Sequence, residues 1–229
     1  MTRPPKALPV ARTERADAAR AGRPSVISRE SLIAAALKLV GPHRSVSSLS
    51  LREIARKAGI APNSFYRHFR DTDELAIALI DLAGRSLRQI IGEARHRAVA
   101  GRSVIRSSVE TFVEQLDAEE KYLHVLLREG SVGSDAFKRA VERELQFFEH
   151  ELQLDLVRLA ELSSTPIARP ELVAKAITRL VFAMGANTMD LSPERRGPVL
   201  DQTIVMLRMI VTGAQTMAKS KSDTTGPER

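Results

Sequence analysis

Ser50-Leu51-Arg52-Glu53-Ile54-Ala55-Arg56-Lys57-Ala58-Gly59-Ile60-Ala61-Pro62-Asn63-Ser64-Phe65-Tyr66-Arg67-His68-Phe69 is the stretch on which the reading of this chain turns. Ser50 and Glu53 are spaced as a capping box, the hydroxyl reaching forward to the third amide of a helix and the carboxylate reaching back. Leu51, Ile54 and Ala55 form one apolar stripe. Gly59 can take positive φ without a Cβ clash and so ends the first helix in a tight turn. Pro62 suits the first position of a second helix, where a missing N–H loses nothing. Phe65 and Phe69, four apart, share a buried face. Asn63, Ser64, Arg67 and His68 are left pointing outward, with Tyr66 at the edge. Two short helices with a polar outer surface read as a helix-turn-helix.

The charge supports that reading once it is divided. The 229-residue chain carries +7 in total, yet residues 1–70 hold 14 Lys or Arg against 4 Asp or Glu and so carry +10. The remainder is slightly acidic. Basic charge gathers where a polyanion would dock, and double-stranded DNA is the expected partner.

Upstream, residues 1–24 are rich in Arg, Ala and Pro without periodicity and read as a basic, disordered tail. In that tail Arg12, Arg15, Arg20 and Arg23 suit a minor groove or phosphates. Ser28 caps a first helix on which Leu32, Ile33, Ala36, Leu37 and Val40 recur at helical spacing, stopped by Gly41-Pro42. Residues 25–71 thus form a three-helix head. Asp71 and Glu74 cap a long helix over 72–99 that joins the head to the rest without a flexible linker.

The remaining chain is helical as well, so the fold class expected is all-α. Residues 72–219 form a second helical domain and 220–229 a disordered tail. Val104, Ile105, Val109, Phe112, Val113 and Leu116 make one amphipathic segment. A short apolar one runs from Tyr122 to Leu127, broken at Gly130. Phe137, Val141, Leu145, Phe148, Leu152 and Leu156 lie along a helix ending near Leu162. Two helices follow, over 171–189 and 194–218. Their broad apolar faces (Leu172, Ala176, Leu180, Met184; Val199, Thr203, Leu207, Ile210, Ala214) suggest a two-fold four-helix interface, hence a homodimer.

Several function classes find no support. No apolar run is long enough for a transmembrane helix and no signal-peptide block opens the chain, so a cytoplasmic protein without membrane contact is expected. There is no cysteine, which excludes disulfides, thiolate catalysis and Cys-based metal sites. His43, His68, His96, His124 and His150 are scattered without metal-ligand spacing, so no metal is expected. Neither a Gly-rich phosphate loop nor a nucleophile elbow occurs, and Glu119-Glu120 and Glu142/Glu144 read as solvated charge. No catalytic residue or cofactor is assigned, and an enzyme is not expected.

Residues 50–69 resemble the DNA-binding signature of the TetR family of bacterial repressors. There an Ile-Ala pair precedes Ala-Gly, and Tyr-x-His-Phe ends the recognition helix. One position departs: the usual Ser or Thr cap of the second helix is Ala61, a poor cap costing about 1 kcal/mol. The resemblance implies a dimeric repressor on a palindromic operator, with dimerisation through the last two helices. Asn63 and Ser64 would read bases, while Ser50, Tyr66 and His68 would hold phosphates beside Arg52, Pro62 and Arg67. It also implies an effector cavity in the second domain, with Phe112, Leu116, Leu123, Leu126, Leu127, Phe137, Phe148, Leu152, Phe182 and Met184 as candidate lining.

A narrower resemblance, to the FabR/DesT branch of that family, is carried by 104–112, the Leu126-Leu127-Arg128-Glu129 step and 136–141. That branch controls unsaturated fatty acid synthesis and senses acyl-CoA or acyl-ACP thioesters, so a long-chain acyl thioester is the implied effector. An apolar tunnel would bind the chain at about 0.8 kcal/mol per methylene. Arg85, Arg88, Arg95, Arg106 and Arg128 are possible partners for coenzyme A phosphates. Two alternatives stay open: a TetR-type repressor of an efflux pump answering to an apolar drug, and a basic lipid-carrier protein whose head meets anionic membrane.

Overall fold

The computed structural model describes residues 28–41, 43–97 and 104–224, with side chains described as far as Ser220. The arginines of the N-terminal tail lie outside these residues. The elements are helical: α1 (Arg29–Leu37), a 3-10 turn (Val46–Ser48), α2 (Leu51–Ala58), α3 (Pro62–Phe65), α4 (Thr72–Arg97), α5 (Val104–Glu114), α6 (Tyr122–Val132), α7 (Asp135–Leu162), α8 (Pro170–Thr188) and α9 (Pro193–Thr224). The fold is an N-terminal helix-turn-helix head on a C-terminal helical bundle.

The caps define the head. Ser28 Oγ accepts the Ser31 amide and Ser31 Oγ accepts the Ser28 amide, a capping box with serine at both ends. Gly59 sits at φ 72° after α2, and the Ile60 amide reaches back to the Ala55 carbonyl. Those are the left-handed residue and the six-to-one bond of a Schellman motif. Leu32, Ala36, Ile54, Phe65 and Phe69 are buried together.

Head and bundle share one hydrophobic core. The buried cluster that begins with Leu32 and includes Phe65 and Phe69 runs on through Leu75, Leu79, Ile80 and Leu87 of α4 to Leu123, Phe137 and Phe182. α4 packs on α1 at one end and on α5, α6 and α7 along its length. At about 1.5 Å per residue its 26 residues make a rod of ~39 Å. Gly84 leaves room for the buried side chain of Glu144 on α7, since a Cβ there would overlap its carboxylate.

Several expectations are corrected. α6 does not stop near Leu127; it continues through Gly130 to Val132. Gly130 accommodates α7, since a Cβ there would lie 3.2 Å from Val141. The last helix reaches Thr224, beyond the boundary of 219/220 drawn for the C-terminal tail. Glu144 is not solvated: it is buried and bonded to Arg88, which also meets Glu151 at 3.0 Å. Glu142 pairs with Arg179 at 2.6 Å. The face of α9 expected at a dimer interface is partly turned inward, with Thr203 and Leu207 each 3% exposed and Ala214 also buried. Leu207 packs with Val109 and Ile204 in a second, smaller core between α5, α8 and α9. The stripe that α9 presents outward is Val205, Met209 and Met217.

Candidate nucleic-acid interface and effector cavity

α2 is held as the sequence requires. Ser50 Oγ accepts the Glu53 amide at 3.3 Å, and the Glu53 carboxylate accepts the Ser50 amide at 3.0 Å. Glu53 also pairs with Arg44 at 2.7 Å. The Arg44 guanidinium and the Ser50 donors together hold the Glu53 carboxyl down at about 2. The base of the head is therefore an ionised, fully bonded corner.

α3 is one helical turn. Ala61 provides no side-chain cap and Pro62 occupies the first turn, so the amide of Ser64 closes on the Ala61 carbonyl and the chain continues as tight turns to Phe69. Phe65 and Phe69 point inward, with ring centres 5.7 Å apart. This leaves Pro62, Asn63, Tyr66 and Arg67 exposed, and Ser64 and His68 half-buried. Tyr66 is 61% exposed and meets Phe65 edge-on. Ser50, Arg52, Arg56 and Lys57 are exposed on α2. Of the eight residues expected at DNA, six are exposed and two half-buried, all within one two-helix unit. Tyrosine, serine and asparagine donors among cations can hold phosphate oxygens and reach base edges.

Two side chains absent from the sequence-derived set hold this unit in place. Arg29 of α1 lies over the Phe69 ring at 4.0 Å and donates from one terminal nitrogen to the His68 carbonyl at 2.9 Å and to Glu74 at 3.1 Å. Glu74, on the first turn of α4, also accepts the Arg70 amide. One guanidinium therefore clasps α1, the end of the recognition segment and α4. The second is Glu129 of α6, which is 0% exposed. Its Oε1 accepts the Ser45 hydroxyl and the Val46 amide, both at 2.7 Å, latching the 3-10 turn of the head to the bundle. Its Oε2 has no partner. The sequence holds a clue to Glu129, because it lies four residues after Val125 and three after Leu126 on an otherwise apolar face.

Within the bundle, α4, α5, α7, α8, α9 and the segment joining α7 to α8 line a partly open cavity of about 320 Å³, within the range of ordinary ligand pockets. Of the candidate lining residues, the structure brings Phe112, Phe148, Leu152 and Phe182 to it. Phe112 and Phe148 each stack edge-on against Phe182, at 5.3 and 5.2 Å. It does not bring Leu116, Leu123, Leu126, Leu127 or Phe137 there; these are core side chains. Met184 faces a separate small void between α5, α8 and α9. Ile91, Ile105, Val109, Leu156, Ile177, Val181 and Leu207 complete most of the apolar wall.

The polar side chains in that wall are Arg95, Ser108, Asp155, Ser163, Thr165, Thr178 and Gln215. Arg95 of α4 donates from Nε to Asp155 of α7 at 2.7 Å, and both side chains are nearly buried. Arg95 and Arg88 each pair with a carboxylate inside the bundle. Arg106 meets Glu110 and Asp201, each at 3.3 Å. Arg85 is exposed and Arg128 half-buried. No group of His, Asp and Glu able to hold a metal occurs among the described residues, and no described helix is long and apolar enough to cross a membrane.

Residues 32–79 match the family model for "Bacterial regulatory proteins, tetR family". The fold is shared with solved structures at low identity. A tetR-family transcriptional regulator from Streptomyces coelicolor is 23% identical, with 86% of this chain and 85% of that one covered and a TM-score of 0.60. The fatty acid degradation regulator FadR from Bacillus halodurans is 15% identical over 81% of this chain and 95% of its own, with a TM-score of 0.62. A second TetR-family regulator of Streptomyces coelicolor is 17% identical over 82% and 95%, with a TM-score of 0.61.

Proposed function

We infer that this chain is a DNA-binding transcriptional regulator of the TetR type, acting as a homodimeric repressor that a small apolar effector controls. The observation that carries the reading is the head itself. A region matching the tetR-family model, with Asn63, Tyr66 and Arg67 exposed, is joined through one continuous helix to a bundle with a partly open cavity.

The surface chemistry of α8 and α9 supports the dimer reading. Leu172 of α8 and Val205, Met209 and Met217 of α9 are large, apolar and exposed. On α9 they fall at multiples of four, with Gly213 between Met209 and Met217, so they form one stripe along the helix. A two-fold packing of α8 and α9 would cover it and set two heads about 34–36 Å apart, the separation of successive major grooves.

For the effector we propose a long-chain acyl thioester, and for the regulated genes those of unsaturated fatty acid synthesis or desaturation. The support is the resemblance in 104–112 and 136–141, the apolar wall of the cavity, and a fold shared with a regulator of fatty acid degradation. The route from cavity to DNA is short. Ile91 and Arg95 line the cavity from α4, and the same helix carries Glu74, which the Arg29 clasp ties to the recognition segment. A ligand that shifts α4 against α6 would pull on the clasp and on the Glu129 latch in different directions. Only unequal affinity for the two arrangements would change repression, typically by 1–3 kcal/mol, or about 5- to 150-fold.

Selection of bound fragments from genomic DNA, followed by operator titration with palmitoyl-CoA, oleoyl-CoA and free coenzyme A, tests the reading. An acyl-dependent, unsaturation-sensitive change in affinity is expected. If no palindrome is selected, the repressor reading fails. If one is selected and all three compounds leave affinity unchanged, the acyl reading fails and an apolar drug becomes the better effector.

A further inference from the structure

The cavity wall says what kind of head group its ligand carries. Arg95 and Asp155 form a salt bridge, so the charged part of the wall sums to zero. The pair is nevertheless rich in spare donors. A guanidinium has five N–H groups, and among the described residues only the Nε of Arg95 has a partner. Thr178 adds a buried residue whose hydroxyl bonds no described residue, on the facing helix α8. Ser108, by contrast, spends its hydroxyl on the Val104 carbonyl. Ser163 and Thr165 bond each other through their hydroxyls, Gln215 of α9 adds a neutral amide, and the rest of the described wall is aliphatic or aromatic.

We propose that the cavity selects an apolar molecule bearing one uncharged hydrogen-bond acceptor, a carbonyl of the ester, thioester, ketone or amide class, and discriminates against the carboxylate of the same skeleton. The inference rests on the reading that this cavity is the effector site. Its physical basis is charge balance. A carboxylate entering the cavity brings a full charge against a largely apolar wall where Arg95, the one cation among the described lining residues, is already paired with Asp155, so its desolvation is repaid only in part. A carbonyl brings no net charge and accepts from the guanidinium edge or from Thr178 Oγ1, recovering the hydrogen bonds it gave up in water. A pure hydrocarbon leaves those donors unpaired. An acyl thioester meets the requirement at its carbonyl, whereas the free fatty acid does not.

Calorimetric titration of the full chain at about pH 8, where both acids are ionised, tests this with two matched pairs. These are methyl decanoate against decanoate, and methyl cinnamate against cinnamate. In at least one pair the ester should bind about tenfold or more tightly than its acid. Ester preference in the cinnamate pair with no binding in the decanoate pair would remove the acyl reading and keep this one. An acid that binds as tightly as its ester, or esters that do not bind in either pair, overturns it. Asp155→Asn supplies a readout that a merely structural pair would not give. By leaving Arg95 uncompensated it should reverse the order and favour the acid by several-fold; an unchanged order counts against the proposal. If that variant does not fold, the wild-type comparison decides alone.

Discussion

Replacing Glu129 by Ala removes the latch between bundle and head, and the size of the effect can be worked from its contacts. The side chain is fully buried and its Oε1 accepts two hydrogen bonds of 2.7 Å. The Ser45 hydroxyl keeps a neighbour in Ser47 Oγ at 2.6 Å, so its loss is small. The Val46 amide keeps none, and a buried donor without an acceptor costs about 1–3 kcal/mol. The void left by the missing carboxyethyl group adds to this, while relief of the unpartnered Oε2 subtracts. A net loss of about 2–3 kcal/mol follows, or roughly 5–10 °C in Tm for a chain of this length. Hydrogen exchange should show the Val46 amide losing protection before the amides of α2 do, and specific DNA affinity should fall with it. Glu129→Gln retains a carbonyl acceptor and should lose less than half as much. If Glu129→Ala melts within about a degree of wild type and holds DNA equally well, the latch carries no load and the coupling route through α6 is wrong.

Asn63→Ala should relax preference at one base pair by about 1–3 kcal/mol, whereas Tyr66→Phe should weaken all sequences alike; binding-site selection with both variants distinguishes them. Val205→Glu together with Met209→Glu, on the exposed stripe of α9, should give folded monomers by light scattering and abolish specific DNA binding. His124 is buried with neither ring nitrogen bonded, and burial, helped by Lys121 and Arg196, pushes its pKa down to about 4. The unfolded chain takes up a proton near 6.5 that the folded chain refuses, so stability should fall as pH drops from about 6.5 to about 4. His124→Leu should flatten that part of a Tm-against-pH curve. Gly185→Ala should destabilise by about 1–3 kcal/mol, because its Cβ would lie 2.7 Å from the Phe112 ring, and ligand affinity should change as that ring moves.

The head was legible because its signals are local. A capping box, a turn glycine, a helix-start proline and two phenylalanines four apart each act within one or two turns of chain. Ser50, Gly59 and Pro62 take the places those signals dictate. The cavity was not legible in the same way. Periodicity marks Leu123 and Phe112 alike as inward-facing, and only the divergence of α5, α7 and α8 separates a packed position from a lining one. α9 misled for a related reason: apolar residues occupy two of its faces, and sequence alone does not say that Leu207 faces in while Met209 faces out. Glu144 was concealed because its burial depends on a partner 56 positions away, and the apolar face that carries Glu129 hints at burial without identifying its partner 83 positions away. No window along the chain contains both ends of such a pair.

The continuous core from Leu32 to Phe182 bears on how such a protein can be rebuilt. A graft that exchanges the head for another by cutting between Asp71 and Thr72 follows the motif boundary but severs a single cooperative unit. Phe65 and Phe69 would then be parted from a buried cluster they share with Leu75, Ala76 and Leu79, and the Ser45 turn would face an unmatched α6. A transplanted specificity should survive only if the first half of α4 travels with its head and the recipient keeps a carboxylate at the position of Glu129. Recombination between relatives would be constrained in the same way, with crossovers tolerated beyond Leu87 and selected against at the point where the motif ends.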